Sequence, residues 1–192
     1  KHTTTIVTQN ESSAVLKHTL DSIEYFVTLY WEGKATFNEK AKHYFVLTPM
    51  DDHLAFACAF TSTAPSMQPV TVAQTQEEAK NYWNSFWKEG AAVDFSACTD
   101  PRAKELERRV VLSQYLLAIQ SAGTTPPQET GLTYNSWFGK FHLEMIWWHE
   151  AQFALWNRSN LLDRTLGWYE KAEPIARQIA QRQGFDGVRW MK

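Results

Sequence analysis

The residues best suited to chemistry lie close together between positions 135 and 156. Lys140, His142, Glu144 and His149 stand there among Trp137, Phe141, Trp147, Trp148 and Trp156. The stretch holds four of the nine tryptophans and two of the six histidines, so bulk and titratable groups mix there more densely than elsewhere. A charge left unpaired in an apolar run costs several kcal/mol, so each of these polar residues needs a partner or a use. Tryptophan offers a flat apolar face with one polar handle, which suits a pyranose ring. Trp, His and Glu together read as the mouth of a sugar pocket.

Each residue also has a plainer reading. Glu144 orients a sugar hydroxyl or pairs with Lys140, four positions earlier on the same helical face. Trp137 and Trp148, with Phe141 between them, follow one stripe that serves as core or as a stacking platform. Arg189 and Trp190 follow a glycine-rich turn, as residues at a pocket edge would. His142 and His149 are seven apart, whereas helical zinc sites use positions four apart and a third ligand, so neither metal nor cofactor is expected. No nucleophile elbow, phosphate loop or Cys/His pair is visible. The candidate substrate-binding set is therefore Trp137, Lys140, His142, Glu144, Trp148, Arg189 and Trp190, with no catalytic residue assigned.

These side chains must be held by the elements around them. From Lys140 to Trp156 there is no proline or glycine, and apolar residues fall on every side of a helical wheel, which predicts a helix buried all round. Lys140, His142 and Glu144 would then sit at its positive end, which favours a carboxylate by roughly 0.3 to 1 kcal/mol. Upstream, Asp100 as N-cap and Pro101 open a helix that runs to about Ser121. Its inward stripe is Leu106, Val110, Ser113, Leu117 and Gln120, with Arg108 and Arg109 on a solvated face beside Glu105. An earlier amphipathic helix carries a capping box at Thr75 and Glu78, a stripe from Ala79 to Trp87 and a stop at Gly90. After Trp156, Leu161, Leu162, Thr165, Leu166 and Tyr169 continue a helical stripe, and Pro174 is expected to begin a new helix that ends at Gly184.

The first third reads as β. Ile23 to Trp31 alternates with period two, and Asp21-Ser22 separates it from Ala14 to Leu20, predicting an antiparallel hairpin. Ala41 to Thr48 makes another strand, and His53 to Thr61 reads as an interior strand covered on both faces, with Cys58 as a buried thiol and Cys98 in a loop. Five strands are expected before a connector at 62–72 that holds Pro65 and Pro69. The fold class is α+β: an antiparallel β-sandwich portion over 1–73, a linker helix over 74–98 and helical hairpins over 99–192.

Composition narrows the partners. Nineteen basic against twenty-one acidic residues, with no basic run, leaves no electrostatic footprint for nucleic acid or an anionic membrane. No apolar run approaches the roughly 18 residues of a membrane span, and the N-terminal Lys1-His-Thr-Thr-Thr lacks the apolar core of a signal peptide.

Several motifs resemble a known family. Leu112-Ser-Gln-Tyr-Leu-Leu117, Gly139-Lys-Phe-His-Leu-Glu144, Trp168 to Arg177 and Gly184-Phe-Asp-Gly-Val-Arg-Trp190 are similar to the opening of the catalytic α/α-barrel in maltose and kojibiose phosphorylases and their glycosidase relatives. The resemblance covers about residues 101–192. It implies a β-sandwich, then linker helices, then a toroid of helical hairpins, with an oligosaccharide or glycoside as substrate and a periplasmic or secreted location. Where those phosphorylases carry Asp in a Phe-Trp-Asp-Thr-Glu motif, this chain has His142, while Glu144 keeps the Glu position; this departure favours a glycoside hydrolase over a phosphorylase. The family's general acid lies on a later helix, so the resemblance implies sugar-positioning residues here and the remainder of a parent barrel as partner. Inverting cleavage needs two groups roughly 6.5 to 9.5 Å apart. A non-catalytic sugar-binding or structural module using the same aromatics is the alternative.

Overall fold

The computed structural model describes residues 2–65, 70–132, 134 and 137–190. Antiparallel strands come first and helices follow, an α+β arrangement. The chain divides into two compact units, Lys1–Asn84 and Ser85–Lys192.

In the first unit β1 (His2–Gln9), β2 (Ser13–Leu20), β3 (Ile23–Glu32) and β6 (Ala55–Thr61) form one sheet in that order, and β4 (Ala35–Ala41) pairs with β5 (Tyr44–Pro49). The β2–β3 hairpin is the expected one: Leu20 faces Ile23, and Asp21 takes φ 53°, which aspartate tolerates better than most residues. Alternation drives Ala14, Leu16, Trp31 and Phe37 into one cluster that joins the two sheets. There Trp31 stacks on Phe37 and Phe37 on Phe45, with centroids 6.0 and 5.7 Å apart, and the Trp31 indole N–H donates to the Glu11 carbonyl.

Three expectations for this unit are corrected. The single strand expected at Ala41 to Thr48 is the second arm of a hairpin, because His43 turns the chain at φ 64° without glycine or proline to signal it. Its first arm, β4, escapes notice because Phe37 is its one buried residue. Strand β6 is not interior: among the described residues it pairs with β3 alone, at the sheet edge, and Phe56, Phe60 and Cys58 are exposed.

Helix α1 (Val72–Glu89) starts earlier than predicted. The capping box is Thr71 and Gln74, one turn before Thr75 and Glu78. The Thr71 N–H donates to Gln74 Oε1 at 3.0 Å, and the Gln74 N–H donates to Thr71 Oγ1 at 3.2 Å. Thr75 instead bonds back to the Thr71 carbonyl inside the helix. Pro69 lies outside the described residues.

In the second unit α2 (Ala103–Ser121) begins after Asp100, whose Oδ1 accepts the Arg102 N–H and closes a turn ahead of the helix. Its buried face is Ala103, Gln114, Ala118 and Ser121, not the predicted stripe, in which Leu106 is 52% exposed. The organising side chain is Arg158, itself buried. Its guanidinium donates to the carbonyls of Phe86 and Ala91 and, at 2.7 Å, to Gln114 Oε1. It also lies 3.9 Å from the Phe86 ring centroid. Gln114 faces inward on α2 with its amide oxygen aimed at this charge, which has to be satisfied there. Gly90 permits the approach: a Cβ at that position would stand 2.2 Å from the guanidinium carbon. Glu105 binds both Arg108 and Arg109 at 2.8 Å on the solvated face, and these two guanidinium groups hold its carboxyl down to about 2.

The helix expected from Lys140 to Trp156 is broken. A 3-10 turn at Trp137–Gly139 and another at Leu143–Met145 precede α3 (Ile146–His149) and α4 (Ala151–Leu155). Trp137, Phe138 and Gly139 take φ of 49°, 59° and 68°, which no right-handed helix accommodates, and Glu150 at φ −124° separates α3 from α4. A sequence apolar on every side gives no single face for a long helix to bury, and Trp147 and Trp148 are 68% and 66% exposed. Helix α5 (Ser159–Arg182), in contrast, runs through Pro174, which is interior and begins no new helix. Proline there removes one N–H from the ladder while strong helix formers flank it. The predicted stop at Gly184 holds: at φ 78° it ends α5 in a Schellman motif, Gly184 N–H to Gln181 carbonyl and Phe185 N–H to Ala180 carbonyl, both 3.0 Å.

Candidate functional site

The break at Trp137–Gly139 sends residues 139–143 across α5, and the segment after Gly184 returns to the same helix through the Arg189 N–H, which donates to the Ala176 carbonyl at 3.1 Å. Between them lies an open cleft of about 590 Å³. Its floor is aliphatic, with Ala172, Ile175 and Ile179 from one face of α5. Its aromatic wall is Phe141, Trp168 and Trp190, with centroids 5.0 Å apart for Phe141–Trp168 and 6.2 Å for Trp168–Trp190. Lys140 and Arg189 supply its charge.

Three of the seven predicted site residues, Lys140, Arg189 and Trp190, therefore meet in one place although far apart in sequence. Trp137 and His142 form a second group, with ring centroids 5.7 Å apart. His142 Nε2 is 3.6 Å from Glu129 Oε2, close enough for an ion pair when the imidazole is protonated and beyond a hydrogen bond. The same residue binds the chain on both sides: the Glu129 N–H donates to the Lys140 carbonyl at 3.3 Å, and its own carbonyl is 3.1 Å from His149 Nε2. Glu144 and Trp148 are exposed and do not line the cleft.

Sequence reasoning missed Trp168, Ile175 and Ile179, although positions 168, 172, 175 and 179 carry the helical spacing that could have found them. Reading Pro174 as a helix start cut that stripe in two. It also missed Glu129, an acid in a proline-rich loop with no periodicity to mark it.

Glu150 was missed as well. Its side chain is wholly enclosed and burial pushes its carboxyl up to about 7, against a smaller downward pull from the Thr165 hydroxyl that donates to Oε1 at 2.9 Å. A raised carboxyl resembles a general acid in pKa, but an enclosed one meets no substrate. In the first unit the Thr4 hydroxyl lies between His18 Nδ1 and His43 Nδ1, at 2.8 and 2.9 Å. Burial first, then neighbouring His2 and Lys42, holds the His43 imidazole low. Among the described residues no cluster could hold a metal ion, and no helix is long and apolar enough to cross a membrane.

No family model, curated protein or solved structure matches the chain. The functional reading therefore rests on the geometry of the cleft.

Proposed function

We propose that the chain is a carbohydrate-positioning portion of a glycoside hydrolase, holding a sugar in the cleft on α5. The observation that supports this most is the convergence of Trp190, Arg189 and Lys140 with Trp168 around one concave, aromatic-walled space. Indole faces can cover the apolar face of a pyranose while the two cations donate to its oxygens. The Trp137, His142 and Glu129 group adds a second ring-and-acid pair in the same unit.

A second reading, a non-catalytic sugar-binding module, is favoured by one feature: the described residues lining the cleft include no carboxyl. Glycoside cleavage by either stereochemical route uses a pair of carboxyl groups. Both readings predict that the 192-residue chain binds saccharide without cleaving it. Titration of its tryptophan emission with a panel of gluco-oligosaccharides should give saturable changes. Trp190→Ala should weaken binding by about 1 kcal/mol, or roughly fivefold, the scale of one aromatic contact. Aryl-glycoside turnover by the same preparation would contradict the assignment of a purely positioning role, and a flat titration across the panel would end the carbohydrate reading.

A further inference from the structure

The lining of the α5 cleft has a chemical asymmetry. Its polar side-chain atoms belong to Lys140, Arg189, Trp168 and Trp190, and all of them are hydrogen-bond donors. The described lining includes no Asp, Glu, Asn, Gln, Ser, Thr or His side chain to accept a bond. A neutral sugar presents hydroxyls that donate as well as accept, and such a wall leaves their protons to water or to backbone carbonyls. Neither Lys140 nor Arg189 makes an ion pair among the described residues; each has an aromatic neighbour instead, Phe138 at 5.9 Å from the ammonium and Phe185 at 5.3 Å from the guanidinium. The two positive charges are thus held at the rim of an apolar space with no carboxylate paired to them among the described residues.

Resting on the carbohydrate reading above, we propose that the cleft selects an anionic pyranose, a sugar ring whose carboxylate or phosphate ester lies between Lys140 and Arg189 while the ring covers Trp168 and Trp190. The anion supplies the acceptor-only group that a donor-only wall calls for, and charge-assisted bonds to it are stronger than those to a hydroxyl. The ring is required as well, because a small inorganic anion would leave the aliphatic floor of Ile175 and Ile179 uncovered.

Calorimetric titration of the 192-residue chain at low ionic strength tests this with five ligands: glucuronate, glucose 6-phosphate, glucose, benzoate and inorganic phosphate. At least one anionic sugar should bind at least about tenfold more tightly than glucose, and comparison of the two identifies the preferred anion. That advantage should disappear in Lys140→Met and in Arg189→Met, each weakening the anionic sugars by more than it weakens glucose, and should persist in Lys140→Arg, which keeps the charge. Raising the salt should reduce it for the anionic sugars only. Glucose binding as tightly as both anionic sugars would overturn the inference and leave the carbohydrate reading standing. Inorganic phosphate matching the anionic sugars would overturn it too, since the ring would then contribute nothing. Benzoate matching glucuronate would keep an anion site and remove the sugar; absence of binding by all five would remove both.

Discussion

Glu150 and Arg158 are charged-type side chains placed where water does not reach, and each is accommodated differently. Arg158 is surrounded by carbonyl and amide oxygens, so its charge is spread over several bonds, and Gly90 keeps the space clear. Gly90→Ala should force the guanidinium out of that position and cost about 1 to 3 kcal/mol, the usual range for overpacking, read as a lower thermal midpoint. An unchanged midpoint would mean that the guanidinium moves aside freely. Glu150 has one hydroxyl partner on Oε1, and none is present for Oε2 among the described residues. Its folded pKa of about 7 lies above the ordinary 4.5, so the native state holds the proton more tightly than the unfolded chain. Its contribution to stability is therefore greatest below about pH 4.5 and falls as the pH rises to 7, by on the order of 3 kcal/mol. Glu150→Gln, which cannot ionise, should unfold at a higher temperature than the parent at pH 8 and at nearly the same temperature at pH 5. A difference that stays constant between those two pH values would show that Glu150 does not titrate in this range.

At the scale of elements, α1 gives the clearest contrast between two readings of its start. Thr71→Ala should destabilise the helix by about 1 kcal/mol because it removes a cap that bonds in both directions. Glu78→Ala, in the exposed interior of α1, should change the denaturation midpoint much less. The reverse order would restore the capping box at Thr75. Strands and helices with one buried face were legible: the alternation in β3, the hairpin at Asp21 and the glycine that ends α5 all carry local signals. The segment from Trp137 to Trp156 was not legible, because positive φ at Trp137 and Phe138 belongs to residues that rarely adopt it. Without that break the helix would have carried Trp148 and Glu144 alongside Lys140; with it, Lys140 lines the cleft and the other two do not. The inward face of α2 was hidden for another reason. It holds Gln114, whose partner Arg158 is 44 residues away in sequence, and periodicity within one helix carries no such information.

At the scale of the whole molecule, each unit leaves large apolar side chains uncovered. In the second, one set lies on α2, at Leu106, Leu112, Leu116 and Ile119. In the first, Phe56 and Phe60 project from β6, 50% and 70% exposed. The two surfaces differ physically. Helix α2 satisfies its own backbone, so only side chains are on offer there. Strand β6 has a paired edge toward β3 and, among the described residues, no strand on its other side, so it presents free N–H and C=O groups together with phenyl rings. Such an edge is the stronger template for association between chains, and proteins commonly blunt it with lysine. Phe60→Lys should therefore raise the concentration at which the chain self-associates in sedimentation experiments several-fold. Because the side chain is already mostly in water, its thermal midpoint should move by only a few tenths of a kcal/mol equivalent. Leu106→Lys, on the helical surface, should shift self-association less. If Leu106→Lys has the larger effect, side-chain burial on α2 and not backbone pairing at β6 governs how the molecule meets its copies.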